Sequence, residues 1–283
     1  MNVAKTIPDF RRLREELASP VGFVPTMGFL HDGHLSLVRR ARAECASVVA
    51  SVFVNPTQFA PDEDLADYPR DLDRDVGLLE EAETDLVLAP PAESLYPEGY
   101  DTWVTVERLT ERLEGASRPT HFRGVATIVA KLFNLVRPER AYFGQKDGQQ
   151  ALVVRRLIRD LDFDIDLVVC PTVREPDGLA MSSRNAYLSP VEREAATALH
   201  RALQRAETLY ANGERDAETL RKAMTETLEG EPLARPAYVS VADAEDLTEL
   251  DTVDRKALVS LAVRIGKTRL IDNTVLPPGQ ELT

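Results

Sequence analysis

Over its first two thirds the chain alternates short β-branched runs with longer stretches of helical periodicity, and this alternation constrains the fold more than any single residue does. Val21 to Val24, Val48 to Val54, Leu86 to Leu88, Ala141 to Phe143 and Ile165 to Val169 read as buried strands. Between them Leu35 to Ala46, Leu72 to Ala82, Val125 to Val136 and Gln149 to Leu161 read as helices. The third of these places Val125, Ile128, Val129, Leu132 and Val136 on one face. Strand and helix in alternation predict an α/β fold built on a doubly wound parallel sheet, whose ligands bind beyond the carboxyl ends of the strands. The loops that follow those strands are therefore where function is sought.

Past Leu188-Ser189-Pro190 the pattern changes. Ser189 can cap, and Pro190 can open, a long helix predicted to run to about Ala211 and stop at Asn212-Gly213. A second helix is predicted over Ala217 to Leu228, followed by strands over Tyr238 to Val241, Ala257 to Ile265 and Thr268 to Ile271, the last two joined by Gly266-Lys267. A chain of 283 residues is long enough for two domains, and the change of pattern places the boundary near Thr172 to Arg174, dividing residues 1–173 from a smaller α/β domain over 174–283.

Charge narrows the partners. Hydrophobic residues are 43% and charged residues 29% of a chain with net charge −13, which is ordinary globular usage and disfavours a surface built for nucleic acid. Between Pro61 and Asp101 stand 14 acidic residues against Arg70 and Arg74, read as a solvated helix face. Between Gly115 and Arg159 stand 9 basic residues against Glu139 and Asp147, a concentration that suits a bound anion, with Arg123 and Lys146 beside glycines. Cys45 and Cys170 lack disulfide or metal spacing and read as reduced core thiols. Nowhere do 18 uninterrupted apolar residues occur, so no membrane partner and a cytoplasmic location are expected.

Three segments carry chemistry. The strand ending at Val24 leads through Pro25-Thr26-Met27-Gly28-Phe29-Leu30 into His31-Asp32-Gly33-His34, where the apolar helical pattern begins. Two of the chain's 4 histidines at this spacing share a helix face near its N-terminus, so both imidazoles can address one phosphate chain. Zinc is the competitor, but no third ligand accompanies the pair. The second segment is Tyr142-Phe143-Gly144-Gln145-Lys146-Asp147-Gly148-Gln149-Gln150, with a lysine suited to phosphate, an aspartate suited to a ribose hydroxyl or a metal, and Gln150 on the following helix. The third, Gly178-Leu179-Ala180-Met181-Ser182-Ser183-Arg184-Asn185, presents two hydroxyls and a guanidinium in succession. It reads either as a mobile phosphate clamp, loose until nucleotide binds, or as a rigid connector whose serines cap the next helix.

His31-Asp32-Gly33-His34 resembles the H-x-G-H signature, and Met181 to Asn185 the K-M-S-K-S loop, of the nucleotidyltransferase superfamily that includes the class I aminoacyl-tRNA synthetases. Within it the chain resembles the pantothenate synthetase (pantoate–β-alanine ligase) family: Pro25 to Gly28, Phe53-Val54-Asn55-Pro56-Thr57-Gln58-Phe59, His121-Phe122-Arg123-Gly124-Val125, Gly144 to Asp147 with Gln149-Gln150, and Asp177 to Asn185 occur in that family's order. One departure is Phe29, where the family has a small residue, which bears on loop packing rather than chemistry. The resemblance implies a Rossmann-like nucleotide- and pantoate-binding domain with a smaller domain closing over the active site. It implies ATP-dependent condensation of pantoate with β-alanine through a pantoyl adenylate, releasing AMP and pyrophosphate, with Mg²⁺ accompanying ATP and a homodimer as the assembly. It also implies catalytic roles for His34, His31 and Lys146. ATP contacts are implied from Met27, Gly28, Phe29, Leu30, His31, Asp32, Gly33, His34, Gly144, Gln145, Lys146, Asp147, Val173, Met181, Ser182, Ser183 and Arg184. Pantoate or β-alanine contacts are implied from Gln58, Gln150, Asn55 and Arg123, and no residue is assigned as a metal ligand.

For Asn55 the residues leave alternatives open: a helper for the hydroxyl acid or for the metal, or a turn residue before Pro56. Two rival functions share parts of the pattern. A phospho-alcohol cytidylyltransferase uses the same paired histidines without forming an amide, whereas a tRNA-binding synthetase relative or a nucleotide-binding regulator lies in another class. The acidic surface counts against tRNA, and lysine, glutamines and serine–arginine loop together count against binding alone.

Overall fold

A computed structural model describes residues 1–61, 63–280 and 282. The chain divides into two compact units, the first made of Met1–Gly144 and Val153–Cys170, the second of Gln145–Leu152 and Pro171–Leu282.

The first unit carries β1 (Asn2–Ala4), α1 (Ile7–Glu15), β2 (Val21–Thr26), α2 (Asp32–Glu44), β3 (Ser47–Val52), α3 (Leu72–Glu81), β4 (Leu86–Leu88), α4 (Ala92–Leu95), α5 (Leu113–Ser117), α6 (His121–Val136) and β5 (Arg140–Gly144). Helix α7 (Gly148–Asp160) passes from the second unit back into the first after Leu152, and β6 (Asp166–Cys170) completes the sheet. The six strands are parallel in the order β1-β4-β3-β2-β5-β6. From β2 the sheet grows one way through β3 and β4 and the other way through β5 and β6, so its order reverses between β2 and β5. The carboxyl ends of those two strands mark the switch point at which such sheets take ligands. The Rossmann-like expectation holds.

Alternation along β2 explains why both faces are covered. Val24 packs with Leu35, Val38 and Ala41 of α2, while Phe23 meets Phe133 of α6 edge-on at 6.4 Å between ring centroids. Elements β1 and α1 are additional to those read from the pattern. β1 is three residues with only Ala4 buried, too short to alternate visibly. α1 opens on Thr6, whose hydroxyl accepts the N–H of Asp9, and its Arg14 donates to the carbonyls of Val136 and Arg137, groups a helix end leaves without partners.

In the second unit α8 (Pro190–Ala195), α9 (Ala198–Ala211) and α10 (Ala217–Glu229) precede β7 (Ala234–Asp243), β8 (Ala257–Ile265) and β9 (Thr268–Leu276). The strands form one antiparallel sheet, β7-β8-β9, with β8 and β9 joined by the Gly266-Lys267 turn. Leu199, Leu203, Leu220, Met224 and Leu228 bury its helix-facing side with Val259, Leu261, Val263 and Leu270. The single helix predicted from Pro190 to Ala211 is two. Thr197 donates its hydroxyl to Glu194 O at 2.8 Å, and its N–H takes the same carbonyl at 3.2 Å, so a tightened turn interrupts the axis.

Candidate active site

β2 leads directly into the paired-histidine loop. The Thr26 hydroxyl donates to Ser51 O at 2.7 Å and accepts the Gly28 N–H at 3.2 Å. Gly28 has φ +82°, and a Cβ there would lie 2.9 Å from a carboxylate oxygen of Asp75, so conformation and space both require glycine. Phe29 follows at φ +50°, a left-handed position costly for a bulky residue. Asp75 of α3 holds it there, accepting the N–H groups of Phe29 and Leu30, each at 2.7 Å. Arg74 donates to Leu30 O at 2.9 Å and places its guanidinium 5.3 Å from the centre of the Phe29 ring, which accommodates the family departure noted at this position. Burial pushes the Asp75 carboxyl above its usual value, against the opposing pull of these two N–H donors and Arg74. The acidic run expected as a solvated face thus supplies a carboxylate that is 1% exposed. An aspartate facing inward from an otherwise acidic helix has no distinguishing mark in sequence.

His31 lies outside the helix, in extended conformation, as the cap of α2 rather than on its face as the spacing suggested. Its Nδ1 accepts the Gly33 N–H at 3.1 Å, while Nδ1 of His34 accepts the His31 N–H at 3.3 Å. The two imidazoles thus form a reciprocal capping box, with ring centroids 4.0 Å apart. With both Nδ1 atoms accepting, each neutral ring carries its proton on Nε2. The result is a pair of N–H donors at a helix N-terminus.

After β3, Asn55 caps a 3₁₀ turn over Pro56–Gln58. Asn55 is 1% exposed; its Oδ1 accepts from Thr57 N and Oγ1, and its Nδ2 donates to Gln58 Oε1 and Gly124 O, both at 3.1 Å. The Gln58 amide is thereby oriented so that its Nε2 donates to the Met27 sulfur at 2.8 Å, which brings two predicted site residues together. The main-chain carbonyl of Gln58 accepts from His121 Nδ1 at 2.9 Å and from Arg118 at 3.3 Å, and Arg118 pairs with Glu63. Because a carbonyl only accepts, the buried His121 ring carries its proton on Nδ1. Burial first, and Arg118 second, push its pKa down to about 4. A Cβ on Gly124 would lie 2.5 Å from Thr57 O, so glycine is what lets α6 approach the turn. Arg123, one position earlier, is exposed and sets its guanidinium 4.4 Å from the centre of the Trp103 ring.

In the second unit, Gln145–Asp147 form a 3₁₀ turn that continues into α7. The Lys146 ammonium lies 3.7 Å from an Asp147 oxygen, with side-chain exposures of 20% and 48%. Gln150 is half-buried in the first turn of α7, and nothing crowds Gly144. Val173 to Met181 make a hairpin closed by Met181 N–H to Val173 O at 3.0 Å and Glu175 N–H to Leu179 O at 2.8 Å, with Gly178 at φ +93°. Arg174 grips Asp272 with two bonds of 2.6 and 3.0 Å, and Arg193 grips Asp177 with 2.7 and 3.0 Å. Ser182 accepts the Arg184 N–H at 3.3 Å and caps a 3₁₀ helix over Ser183–Tyr187. Two ion pairs and a cap thus bracket the segment expected to be loose until nucleotide binds, and hydrogen exchange across residues 176–188 with and without a non-hydrolysable ATP analogue decides between clamp and connector.

Sequence reasoning passed over Arg74, Asp75, Glu63, Arg118, Arg174, Asp272 and Asn273. Each acts through a backbone group or another side chain, and only the signal of a charged or polar residue in an apolar register, as in Leu270-Ile271-Asp272-Asn273, was available to find any of them. Among the described residues no group of three or more His, Cys, Asp or Glu is placed to hold a metal, and no helix is long and apolar enough to cross a membrane.

The family model for pantoate-beta-alanine ligase matches residues 2–275. A pantothenate synthetase of Roseiflexus castenholzii is 59% identical over 276 residues, covering 98% of this chain and 99% of the relative. The crystal structure of pantothenate synthetase from Thermus thermophilus superposes with a TM-score of 0.93 at 52% identity, covering 96% of this chain and 98% of that one. A pantoate-beta-alanine ligase from Francisella tularensis, crystallised with beta-gamma ATP and beta-alanine, gives a TM-score of 0.82 at 34% identity with 99% of each chain covered.

Proposed function

The chain belongs to the pantoate-β-alanine ligase family, and from that premise we propose how its residues divide the work of joining the two substrates. The enzyme is an acid–amine ligase. In this reading the pantoate carboxylate attacks the α-phosphorus of ATP, expelling pyrophosphate and leaving pantoyl adenylate. The β-alanine amine then attacks the acyl carbon and expels AMP. ATP and β-alanine are the ligands of the Francisella tularensis relative, which supports both as substrates here.

One observation carries the assignment: the reciprocal cap of His31 and His34, which puts the proton of each neutral ring on Nε2 at the N-terminus of α2. Two neutral donors and a helix dipole stabilise charge that grows on phosphate oxygens, and no proton has to move at His34 or His31. Lys146 adds a full positive charge to the same task. Met27 to Gly33, Gly144 to Asp147, Val173 and Met181 to Arg184 complete the ATP contacts. Gln58 and Gln150 hold pantoate through uncharged amides, which orient a carboxylate without trapping it, while Asn55 acts by fixing the Gln58 amide. Arg123 contributes charge near the acid substrates.

Mg²⁺ accompanies ATP. A hard cation that keeps its waters and is held largely by phosphates needs one protein carboxylate at most, and the part-exposed Asp147 beside Lys146 fits that need. Bound there, the ion supplies charge neutralisation at the phosphate oxygens. Two buried cysteines that form no disulfide, Cys45 and Cys170, suit the reducing cytoplasm, and a homodimer is the assembly implied by the family resemblance, to be checked by sedimentation.

The test is ATP–pyrophosphate exchange. Exchange that requires pantoate but not β-alanine supports the acyl adenylate, and exchange independent of pantoate sinks it. Gln58→Ala and Gln150→Ala are expected to raise the KM for pantoate far more than that for ATP. Lys146→Ala is expected to lower kcat; a raised KM for ATP at unchanged kcat would reduce Lys146 to an affinity contact.

A further inference from the structure

β9 interrupts its apolar residues with Asp272 and Asn273, two consecutive polar residues that are 2% and 4% exposed. Consecutive strand residues face opposite sides of a sheet, and these two do so with different partners. Asp272 shares the helix-facing side with Leu270 and Leu276 and takes the Arg174 guanidinium through both oxygens. Arg174 also donates to Gly178 O at 3.0 Å, so the pair closes the hairpin whose strand runs on into Met181 to Arg184. On the other side, Asn273 Nδ2 donates to the carbonyls of Gln145 and Lys146 at 2.8 and 2.9 Å. Gly148 completes that seat, since a Cβ there would lie 3.2 Å from Nδ2.

Buried polar groups are expensive unless fully bonded, and core packing alone would be served by apolar residues at both positions. Apart from the Asn273 N–H, which Asp272 accepts, their bonds go to the carbonyls of Gln145 and Lys146, the Gln145 side-chain amide and Arg174, in the two segments of this unit that carry the phosphate-contact assignments. We propose that Asp272 and Asn273 are positioning residues for adenylation, one strand fixing the Lys146 turn from one face and the Met181–Arg184 segment from the other. The proposal rests on the reading that Lys146 and Ser182 to Arg184 meet the phosphates of ATP. It explains why Gln145–Leu152, continuous in sequence with the first unit, is compact with the second.

The experiment uses the intact enzyme in pantoate-dependent ATP–pyrophosphate exchange, with melting temperature measured in parallel. Asn273→Ala is expected to lower kcat by about 10²-fold while the KM for pantoate stays within about threefold, because a misplaced ammonium costs rate rather than acid binding. Added to Lys146→Ala, the same substitution is expected to cost less than about threefold more, since both act on one contact. Asp272→Asn is expected to show the same non-additivity with Arg184→Ala. Ser260→Ala, directly opposite Asn273 in the register with β8, is the packing control and keeps kcat within about twofold. If Asn273→Ala does not fold, the near-isosteric Asn273→Leu, which removes both donated bonds without adding a buried charge, takes its place with the same expectations. Unchanged kcat in either variant, or losses that multiply in full with Lys146→Ala, would overturn the proposal and leave a structural role. Lys146→Ala with undiminished exchange would instead overturn the phosphate reading beneath it.

Discussion

The carboxylate of Asp75 accepts the backbone N–H of Leu30 at 2.7 Å, tying the first turn of α3 to the loop that carries the two histidines. Together with its bond to Phe29 this holds a left-handed residue in place. Asp75→Ala is expected to lower kcat/KM for ATP by about 10²-fold, the order lost when a substrate-bearing loop is left an ångström out of place. Asp75→Asn, which keeps one acceptor, is expected to fall between the two. A loss confined to melting temperature would limit Asp75 to the fold.

His31 and His34 are separable by stability. His31→Ala removes the cap of α2 and is expected to cost about 1 kcal/mol as well as rate, whereas His34→Ala keeps the cap acceptor and costs chiefly rate, about 10²–10³-fold. His31→Asn should restore the melting temperature and not the exchange activity. Recovery of both would mean that His31 serves only the helix.

Gly124 sets the distance between α6 and the Gln58 turn. Gly124→Ala places a Cβ 2.5 Å from the Thr57 carbonyl, so turn and helix must part. The expected cost is about 1–3 kcal/mol in urea unfolding, with a raised KM for pantoate and little change for ATP. An unchanged pantoate KM would detach the turn from the acid site.

His121 links stability to pH. With its pKa pushed down to about 4 by burial and Arg118, the folded protein leaves it neutral where the unfolded chain, near 6.5, takes up a proton. Stability is therefore fully present above pH 6.5 and falls as pH drops from there to about 4, by at most about 3 kcal/mol. Arg118, Glu63 and Glu114 face the ring and remain in His121→Asn, so that variant should flatten melting temperature against pH in this window alone. An unchanged slope would assign the acid sensitivity elsewhere.

Local pattern alone carried five of the six sheet strands, since short apolar runs such as those at Val21, Ser47 and Ala141 pack on helices whatever else the chain does, and it carried the loops after β2 and β5, because α/β sheets place ligands there. It also pointed to the chemical kinds of residue in the paired histidines, Lys146 and the Ser182-Ser183-Arg184 run, whereas Gln58 came from the family resemblance. What tertiary structure decided is how each of these is held. The break at Thr197 came from one hydroxyl choosing a carbonyl a turn away, a competition that helix periodicity does not register. The inward turn of Asp75, the carbonyl of Gln58 shared by His121 and Arg118, and the grip of Asn273 on a turn 127 residues away all join groups remote in the chain. Periodicity records which face a residue occupies, whereas the partner of a buried polar atom is set by which backbone groups folding brings within about 3 Å of it.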